Sequence, residues 1–277
     1  MSGLGNQLFQ YATGRAVAER TNTRLRFDAS WFGIEPHRQY ALGDFHIRAE
    51  LVGGEAGWAE LLADPAAGDE YARERFGAKV FSERDHSLHA ELVGNPQPNL
   101  FLAGYWQVAA YFEDYSDLVR RELRPRLAGE TERRRALLAG DADAVSVHVR
   151  RGDYVTDPDS ARRFGALESS YYERAAAAIS ERIANPQFHV FSDDPEWCAE
   201  HLSLPGSAEI VSGGYSAHED LALMAACRHS IISNSTFAWW GGWLGERPDS
   251  VVVAPRRCFR DPALEWEGQM PGHWQLV

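Results

Sequence analysis

The feature that most constrains the fold is a regular alternation, in the C-terminal half, of apolar runs of strand length with segments of helix length. Strands are predicted at 144–149, 188–191, 208–211, 230–232 and 251–253, and helices at 170–183, 195–202, 218–227 and 236–244. Strands that alternate with helices form βαβ units, in which helices cover both faces of a parallel sheet. The C-terminal half is therefore predicted to be a doubly wound α/β domain.

The N-terminal half is less regular. Strands are predicted at 24–27 and 100–103 and helices at 7–20 and 109–123, and the charged, Gly- and Pro-containing segment 52–98 is expected to be largely irregular. A second charged segment with Pro and Gly, 124–142, is typical of a domain boundary. We place the two domains at 1–135 and 136–277.

Composition excludes several classes of protein. With 277 residues, 44% of them hydrophobic, the chain can bury a large core. A net charge of −12 argues against nucleic-acid binding and against a polybasic membrane anchor. Cys198, Cys227 and Cys258 lack metal-site spacing and are predicted to be buried thiols. Since no long apolar run or leader is apparent, we expect a cytoplasmic protein.

Polar residues follow the predicted strands where a ligand site is expected. In doubly wound sheets, ligands bind beyond the carboxyl ends of the strands. Arg150 and Arg151 follow the first of these strands, and 192–194, 212–214 and 234–236 follow the next three. These residues are predicted to meet at one edge of the sheet.

The two consecutive arginines indicate a phosphate ligand. A guanidinium presents a rigid fork of donors that matches phosphate oxygens. Arg150 is expected to share a face with His148 and to contact a diphosphate, with Arg151 in support and Asp153 orienting an arginine. The alternative is a surface ion pair of the arginines with Asp153 or Asp157.

Two further segments fit an anion site but have simpler explanations. Gly3-Leu4-Gly5-Asn6 before a predicted helix is typical of a phosphate-binding loop, although an ordinary glycine turn has the same spacing. Ser235 and Thr236 precede a helix, where hydroxyls cap the first turn and also meet anions. Trp239, Trp240 and Trp243 recur at helical spacing, which favours core packing over a sugar platform.

Three motifs in order resemble the α-1,2-fucosyltransferases of glycosyltransferase family 11. They are GLGNQLFQYA at 3–12, HxRRxD at 148–153 and NSTFAWWGGWL at 234–244. Segments 102–107, 219–224 and 253–256 also look like this family, so the resemblance covers nearly the whole chain. It implies an α/β, GT-B-like fold of two Rossmann-like domains facing a cleft, with 1–135 on the acceptor side and 136–277 binding GDP-fucose.

The resemblance also implies an activity. An inverting transferase would move L-fucose from GDP-β-L-fucose to the 2-hydroxyl of a galactose, in an oligosaccharide or a lipid-linked glycan. Neither a metal ion nor another cofactor is expected, nor a nucleic-acid partner, and contact with the inner membrane would be peripheral. Two alternatives stay open: a fucosyltransferase of another linkage, of core or protein O-type, and a non-catalytic glycan-binding module built on the tryptophan-rich segment.

By the same resemblance, Arg150 and Asp153 are the predicted catalytic residues. The predicted substrate-binding residues are Gly5, Asn6, Gln7, His148, Arg150, Arg151, Asp193, Asp220, Ser235, Thr236 and Phe237. Asp220 resembles the acid that reads guanine, with His148 as a second contact, and a helix N-cap is its alternative. A general base is sought among Asp153, Asp157 and Glu168, without a ranking. The pairs Asp157/Asp159 and Asp193/Asp194 are not expected to bind metal, because arginines supply the positive charge.

The start of the sequence departs from the family pattern. A β-strand usually precedes the Gly-x-Gly segment, whereas here Met1 and Ser2 stand before Gly3. We expect either a start codon farther upstream or a first sheet that is built differently.

Overall fold

A computed structural model of the protein describes residues 3–33, 38–53, 70, 72–74, 77–83, 87–212, 214–261, 264 and 268–277. The chain forms two compact units, Met1–Arg124 with Glu267–Gln269, and Pro125–Trp266 with Met270–Val277. The boundary between the two units lies after Arg124, rather than after residue 135 where the sequence analysis places it. Helix α4, Gly129–Gly140, belongs wholly to the second unit, where Thr131 donates a hydrogen bond to Glu219 at 2.7 Å.

The second unit is built on a parallel sheet. Its described strands are β5 Ala144–Val149, β6 Gln187–Ser192, β7 Ser207–Ile210, β8 His229–Ile231, β9 Val252–Ala254 and β10 Gln275–Leu276. They form a six-stranded sheet in the order β10-β9-β8-β5-β6-β7. The helices besides α4 are α5 Gly152–Thr156, α6 Pro158–Arg163, α7 Ser169–Ser180, α8 Pro195–His201, α9 Ala217–Ala226 and α10 Thr236–Gly245. The predicted doubly wound domain is confirmed.

The core of this unit lies on both faces of β5. Every residue of β5 is buried, as its continuous apolar pattern requires. On one face the valines of β5 pack with Tyr172 and Ile179 of α7, and on the other Ala144 packs with Leu223 and Met224 of α9. Helices α9 and α10 approach so closely that a Cβ on Gly245 would lie 2.8 Å from a backbone carbonyl oxygen.

Trp239, Trp240 and Trp243 of α10 are buried and pack on one another, with ring centroids 5.0 to 5.9 Å apart. Core packing, the interpretation favoured from the sequence, is therefore confirmed for all three. Cys198, Cys227 and Cys258 are also buried and free, as predicted.

The first unit carries helix α1, Leu4–Thr21, and two separate pairs of strands. Its described strands are β1 Arg26–Asp28, β2 Glu50–Val52, β3 Lys79–Ser82 and β4 Leu100–Ala103, and its other described helices are α2 Ala90–Gly94 and α3 Ser116–Glu122. In this part of the chain, β1 pairs in parallel with β2, and β3 pairs in parallel with β4. The segment 52–98, expected to be irregular, lies partly outside the described residues but contains β3 and α2.

Two predictions for the first unit are wrong. The helix expected at 109–123 is replaced by single 3₁₀ turns, Ala109–Tyr111 and Glu113–Tyr115, followed by α3. Phe112, at φ −128°, interrupts the helix, because its ring packs against Phe9 while Tyr111 packs against Trp106. In addition, α1 begins at Leu4, so the expected glycine loop is the first turn of a helix.

A buried charged cluster fastens α1 to α3. The Glu122 carboxylate accepts hydrogen bonds from the Tyr11 hydroxyl at 2.5 Å and from Arg15 Nε at 3.0 Å. Burial raises the pKa of Tyr11, and the hydrogen bond to Glu122 raises it further. Both partners of the Arg15–Glu122 ion pair are almost fully buried. Removing Glu122 therefore leaves Arg15 with Glu19 as its remaining acid partner and takes away the acceptor of the Tyr11 hydroxyl.

We expect Glu122→Ala to destabilise the protein by about 3 to 5 kcal/mol, the usual cost of breaking a buried ion pair. Thermal unfolding followed by circular dichroism measures this change. Glu130→Ala is the matched control, because Glu130 pairs with Arg133 at the surface and such pairs contribute about 0 to 1 kcal/mol. Equal effects of the two substitutions would contradict a stabilising role for the buried cluster.

Candidate active site

The site lies where the strand order of the second unit reverses. From β5 the chain proceeds outward through β6 and β7, and then crosses to β8 on the other side of β5. The carboxyl ends of β5 and β8 are therefore adjacent, and the segments that follow the two strands lead away from each other. Such a switch point is where doubly wound domains bind ligands. Residues 150–152 follow β5 there, and 232–236 follow β8.

His148 is a buried, neutral base at the end of β5. Its Nδ1 shares a hydrogen bond of 2.8 Å with the Ser233 hydroxyl, and its ring lies 5.4 Å from that of Phe237. Burial, and then the nearby Arg150, lower the pKa of His148 to about 3. His148 therefore donates and accepts hydrogen bonds at neutral pH but carries no positive charge.

Arg150 is held between two carboxylates. Its guanidinium contacts Asp153 Oδ1 and Asp193 Oδ2, each at 2.6 Å, and lies 5.6 Å from the centre of the Tyr154 ring. About 28% of the side chain stays exposed, so an anionic ligand can still reach it. The ion pair left open as an alternative thus exists, and it fixes the guanidinium in place. Asp153 orients the arginine, as expected from the sequence.

Arg151 is directed to other partners. Its Nε donates to Asp194 at 3.0 Å, and its guanidinium stacks on Trp197, 4.0 Å from the ring centre. Asp194 also caps α8 by accepting from the Trp197 amide. These contacts use the guanidinium within the protein, so the structure assigns Arg151 a supporting role. Its predicted contact with substrate stays a prediction.

Asp193 joins the two arginines. One oxygen accepts from the Arg151 backbone amide at 2.8 Å, and the other pairs with Arg150. A Cβ on Gly152 would lie 2.6 Å from this carboxylate, so the close approach requires glycine. Both oxygens of Asp193 are used within the protein. The structure therefore gives Asp193 a positioning role, and its predicted contact with substrate stays a prediction.

The segment after β8 presents a helix N-terminus. Ser235 is the N-cap of α10, where its hydroxyl accepts from the Phe237 amide at 3.3 Å, and Thr236 begins the helix. The first amides of a helix favour an anion. Ser235 therefore caps the helix, which is the alternative role that the sequence leaves open for it. Ser235, Thr236 and Phe237 lie together beside His148.

The sequence places Asn234 at the ligand edge of the sheet, but sequence analysis gives it no role there. Its buried Nδ2 donates to the carbonyls of Phe164, Gly165 and Cys258 at 3.3, 3.0 and 3.1 Å. Its own backbone carbonyl accepts from the Tyr154 hydroxyl at 3.2 Å. Asn234 thus ties three segments to the start of α10. Nothing in a single sequence distinguishes a buried asparagine that joins segments in this way from an asparagine at the surface.

Asp220 lies within α9 and is not its N-cap. That position belongs to Ser216, which forms a capping box with Glu219. Burial, with a smaller effect of Glu219, raises the pKa of Asp220 to about 6. No side-chain hydrogen bond between Asp220 and another described residue satisfies this carboxylate. The N-cap alternative is therefore wrong, and Asp220 has capacity to accept hydrogen bonds from a ligand.

The other base candidates differ in their surroundings. Asp157 caps α6 by accepting from the Ser160 amide at 2.8 Å, and its hydrogen bonds to Ser160 lower its pKa. Asp153 is bound to Arg150. Glu168 is the N-cap residue of α7 and makes no capping bond with its side chain. Of the three, Glu168 is the one that neither caps a helix through its carboxylate nor holds Arg150.

Gly5, Asn6 and Gln7 lie in the first turn of α1, in the first unit. Asn6 Oδ1 accepts from Gln107 at 2.8 Å. The Gln7 side chain is fully buried, donating to the Gln39 carbonyl and accepting from the Ala41 amide, both at 2.9 Å. Gln7 therefore holds the segment at 39–41 in place, and its predicted contact with substrate stays a prediction.

Comparison with known proteins places this arrangement in a family. Residues 79–275 match the sequence model of Glycosyl transferase family 11. The protein belongs to this family. An alpha-1,2-colitosyltransferase of Escherichia coli is 28% identical, over 99% of this chain and 96% of its own length. The O-antigen biosynthesis glycosyltransferase WbnK of Escherichia coli is 28% identical over 93% of this chain and 92% of its own.

A human relative and solved structures extend the comparison. Galactoside alpha-(1,2)-fucosyltransferase 1 of Homo sapiens is 28% identical over 90% of this chain, which spans 65% of the human protein. The fucosyltransferase NodZ from Bradyrhizobium superposes with a TM-score of 0.51 at 15% identity, covering 86% of this chain and 89% of its own. The predicted GT-B-like α/β fold class is therefore confirmed.

We expect GDP-fucose affinity to fall as the pH drops below about 6, by about tenfold per pH unit. Asp220 accepts hydrogen bonds fully only when ionised, and its raised pKa makes it take up a proton near that pH. Calorimetric titration of GDP-fucose between pH 5 and 8 measures the effect. In Asp220→Asn the affinity should be weaker and independent of pH across this range. An unchanged pH profile in the variant would refute the assignment.

We expect Asn234→Ala to raise the KM for GDP-fucose about tenfold, because three carbonyl groups lose their donor and the start of α10 is no longer held. Ser146→Ala is the matched control, since Ser146 is buried and bonded to Ser230 within the sheet, away from its carboxyl edge. Both variants should lower the melting temperature. Equal KM values in the two would show that Asn234 matters for stability alone.

Proposed function

We propose that this protein moves L-fucose from GDP-β-L-fucose to the 2-hydroxyl of a galactose in a glycan, with inversion at the sugar carbon. The observation that carries the proposal is Arg150, fixed between Asp153 and Asp193 at the switch point of a family 11 protein. Neutral His148 and the start of α10 lie beside it. Together these groups suit a leaving diphosphate.

The chemistry requires charge stabilisation on the leaving group. In a single in-line displacement, negative charge builds on the diphosphate as the glycosidic bond breaks, and the sugar becomes oxocarbenium-like. A guanidinium that is already oriented stabilises this charge without reorganising. Because Asp153 and Asp193 hold Arg150, its position is set before substrate binds. His148 and the amides at the start of α10 supply further donors for phosphate oxygens.

The donor base is proposed to be read by Asp220. Guanine presents N1–H and an exocyclic amine side by side, and a carboxylate accepts from both. Adenine offers no such pair of donors. A partly buried carboxylate left facing the wrong base costs about 1 to 3 kcal/mol, so GDP should bind better than ADP. The relative NodZ was crystallised with GDP, which agrees with this donor class.

The transferred sugar has a second candidate, because one relative is an alpha-1,2-colitosyltransferase. Colitose is L-fucose without its 3-hydroxyl, so one site can hold either sugar. A site built to hydrogen-bond that hydroxyl rejects the deoxy sugar strongly, whereas an apolar site discriminates weakly. Turnover of GDP-fucose and GDP-colitose on the same acceptor decides between them.

The acceptor is proposed to be a galactose-containing oligosaccharide or lipid-linked glycan, bound by the first unit. Human and bacterial relatives include enzymes named for α-1,2 transfer, which supports this linkage over core or protein O-type transfer. We propose a cytoplasmic protein with peripheral membrane contact. No helix in the described part of the chain is long and apolar enough to cross a bilayer.

The deciding experiment is incubation with GDP-fucose and a panel of galactose-terminated oligosaccharides, followed by linkage analysis of the product. An α-1,2-linked fucose is the expected result. Another linkage would favour the core or protein O-type alternative. Glycan binding without turnover, together with no affinity for GDP, would instead identify a glycan-binding module.

We expect Arg150→Lys to lower kcat about 10²- to 10³-fold with the fold intact, because lysine keeps the charge but loses the oriented fork. The KM for GDP-fucose should change less, since the charge on the leaving oxygen develops only in the transition state. Arg151→Lys is the control and should lose less activity. A larger loss in Arg151→Lys would reverse the roles of the two arginines.

We also propose that no metal ion or other cofactor takes part, and expect activity to persist in excess EDTA. Arg150 and the amides at the start of α10 offer the diphosphate oriented hydrogen-bond donors, a task that a divalent cation performs in metal-dependent transferases. Rates measured with EDTA, and with EDTA followed by manganese, should agree. Loss of turnover that manganese restores would show that a cation is required.

A further inference from the structure

A chain of three amide side chains leads to the start of α1 in the first unit. Gln269 Nε2 donates to Gln107 Oε1 at 3.2 Å, and Gln107 Nε2 donates to Asn6 Oδ1 at 2.8 Å. All three residues belong to the first unit, and we call them the amide relay. Gln269 and Gln107 are buried, whereas Asn6 is partly exposed. The relay therefore begins at a buried residue and ends at a side chain that a ligand can reach.

The direction of these hydrogen bonds decides what Asn6 offers to a ligand. A primary amide has one oxygen that accepts and one nitrogen that donates. Because Gln107 donates to Asn6, the oxygen of Asn6 is used within the amide relay. Its Nδ2 has no hydrogen-bond partner in the part of the chain that the structure describes. Asn6 therefore keeps its N–H donors for a ligand.

The amide relay lies at the carboxyl edge of a parallel strand pair. Gln107 comes shortly after β4. Gln10, one turn after Asn6 in α1, donates to the carbonyl of Gly104, directly after β4, at 2.8 Å. The first turns of α1 therefore lie at the carboxyl end of β4. Since ligands of parallel α/β sheets bind beyond this end of the strands, Asn6 lies where a ligand of the first unit is expected.

The segment that carries Gln107 is fixed by the neighbouring strand. The carboxylate of Glu83, directly after β3, accepts from the amides of Tyr105 and Trp106 at 2.7 and 3.0 Å. A Cβ on Gly104 would lie 2.5 Å from Glu83 Cβ, so this approach requires glycine. Trp106 is buried and adopts φ +59°, which a bulky residue rarely does. Strained residues of this kind cluster at functional sites, where the surrounding contacts hold them.

We infer that Gln107 and Gln269 are positioning residues, which hold Asn6 so that its Nδ2 donates a hydrogen bond to an oxygen atom of the acceptor sugar. The inference rests on the proposed function, in which the first unit binds the acceptor. Hydroxyl oxygens of a sugar accept hydrogen bonds from an amide. A side chain that is oriented before binding also loses less conformational freedom when the ligand arrives.

The test reverses the last amide of the relay and keeps its hydrogen bonds. In Gln107→Glu the carboxylate accepts from Gln269 and, once the amide of Asn6 turns over, from Asn6 Nδ2. Asn6 then presents its oxygen to the acceptor. We expect the KM for the acceptor to rise about tenfold, which corresponds to the loss of one hydrogen bond. The kcat and the KM for GDP-fucose should change little, because the contact is made equally in the ground and transition states.

The matched control is Gln10→Glu, the same chemical change one turn along α1. It removes the hydrogen bond to Gly104 and leaves the amide relay intact. Its acceptor KM should stay near that of the wild type, and circular dichroism confirms the fold of both variants. An equal rise of the acceptor KM in the control would overturn the inference, because any disturbance of this edge would then have the same effect.

A double-mutant cycle tests whether Gln107 acts through Asn6. Asn6→Ala should raise the acceptor KM by itself, and adding Gln107→Glu to it should cause no further rise. Additive effects would contradict a positioning role. A rise confined to the KM for GDP-fucose would exclude the acceptor as the ligand of Asn6. If Gln107→Glu does not fold, Gln107→Met replaces it, and an unchanged acceptor KM in that variant would exclude the role.

An NMR measurement separates this inference from the proposed function. If the wild-type protein transfers fucose to no acceptor, the proposed function fails, and the acceptor contact fails with it. The side-chain amide resonance of Asn6 should nevertheless shift in Gln107→Glu, because the amide gains a carboxylate partner, and it should not shift in Gln10→Glu. An unshifted Asn6 amide in Gln107→Glu would show that the relay does not orient this residue.

Discussion

The ion pair of Arg150 with Asp193 is the interaction on which the site depends. Asp193 directly follows β6 and Arg150 directly follows β5, so the contact exists only because these strands are neighbours in the sheet. Its other oxygen binds the Arg151 amide, which fixes the turn after β5. A guanidinium held in this way needs no reorganisation when charge appears on a leaving diphosphate. The two carboxylates contribute mainly by fixing the position of the Arg150 guanidinium.

Burial sets the protonation states around this arginine. His148 is kept neutral because burial disfavours its charged form and so lowers its pKa, and the nearby positive charge of Arg150 lowers the pKa further. Asp220 is affected in the opposite sense, since the same loss of water makes its ionised form costly and raises its pKa to about 6. An acid in this state accepts a ligand's donors readily, because the ligand replaces the hydrogen bonds that water would have made.

The two units are stabilised in different ways. The second has a continuous parallel sheet with β5 buried on both faces. The first relies on α1, which Glu122 fastens through Tyr11 and Arg15, while its strand pairs stay separate in the described residues.

Much of the second unit and the location of its site followed from the sequence alone. Apolar periodicity is strong when a strand such as β5 is buried on both faces, so its limits at Ala144 and Val149 were predicted to the residue. The same pattern placed Arg150 and Ser235 at one edge of the sheet, because parallel strands share a direction. In the first unit periodicity failed at Phe112, where packing of aromatic rings from distant segments overrode helix propensity.

Only the tertiary structure decided what each polar side chain does. Arg150 and Arg151 are adjacent and chemically identical, yet one stays partly exposed between two carboxylates and the other stacks on Trp197. Gln7 and Asn234 are buried and form hydrogen bonds with the backbone of distant segments. Asp220 lies inside a helix rather than at its cap. A sequence determines which residues can donate, accept or carry charge. Their partners come from other strands and helices, so their roles are decided only when the chain is folded.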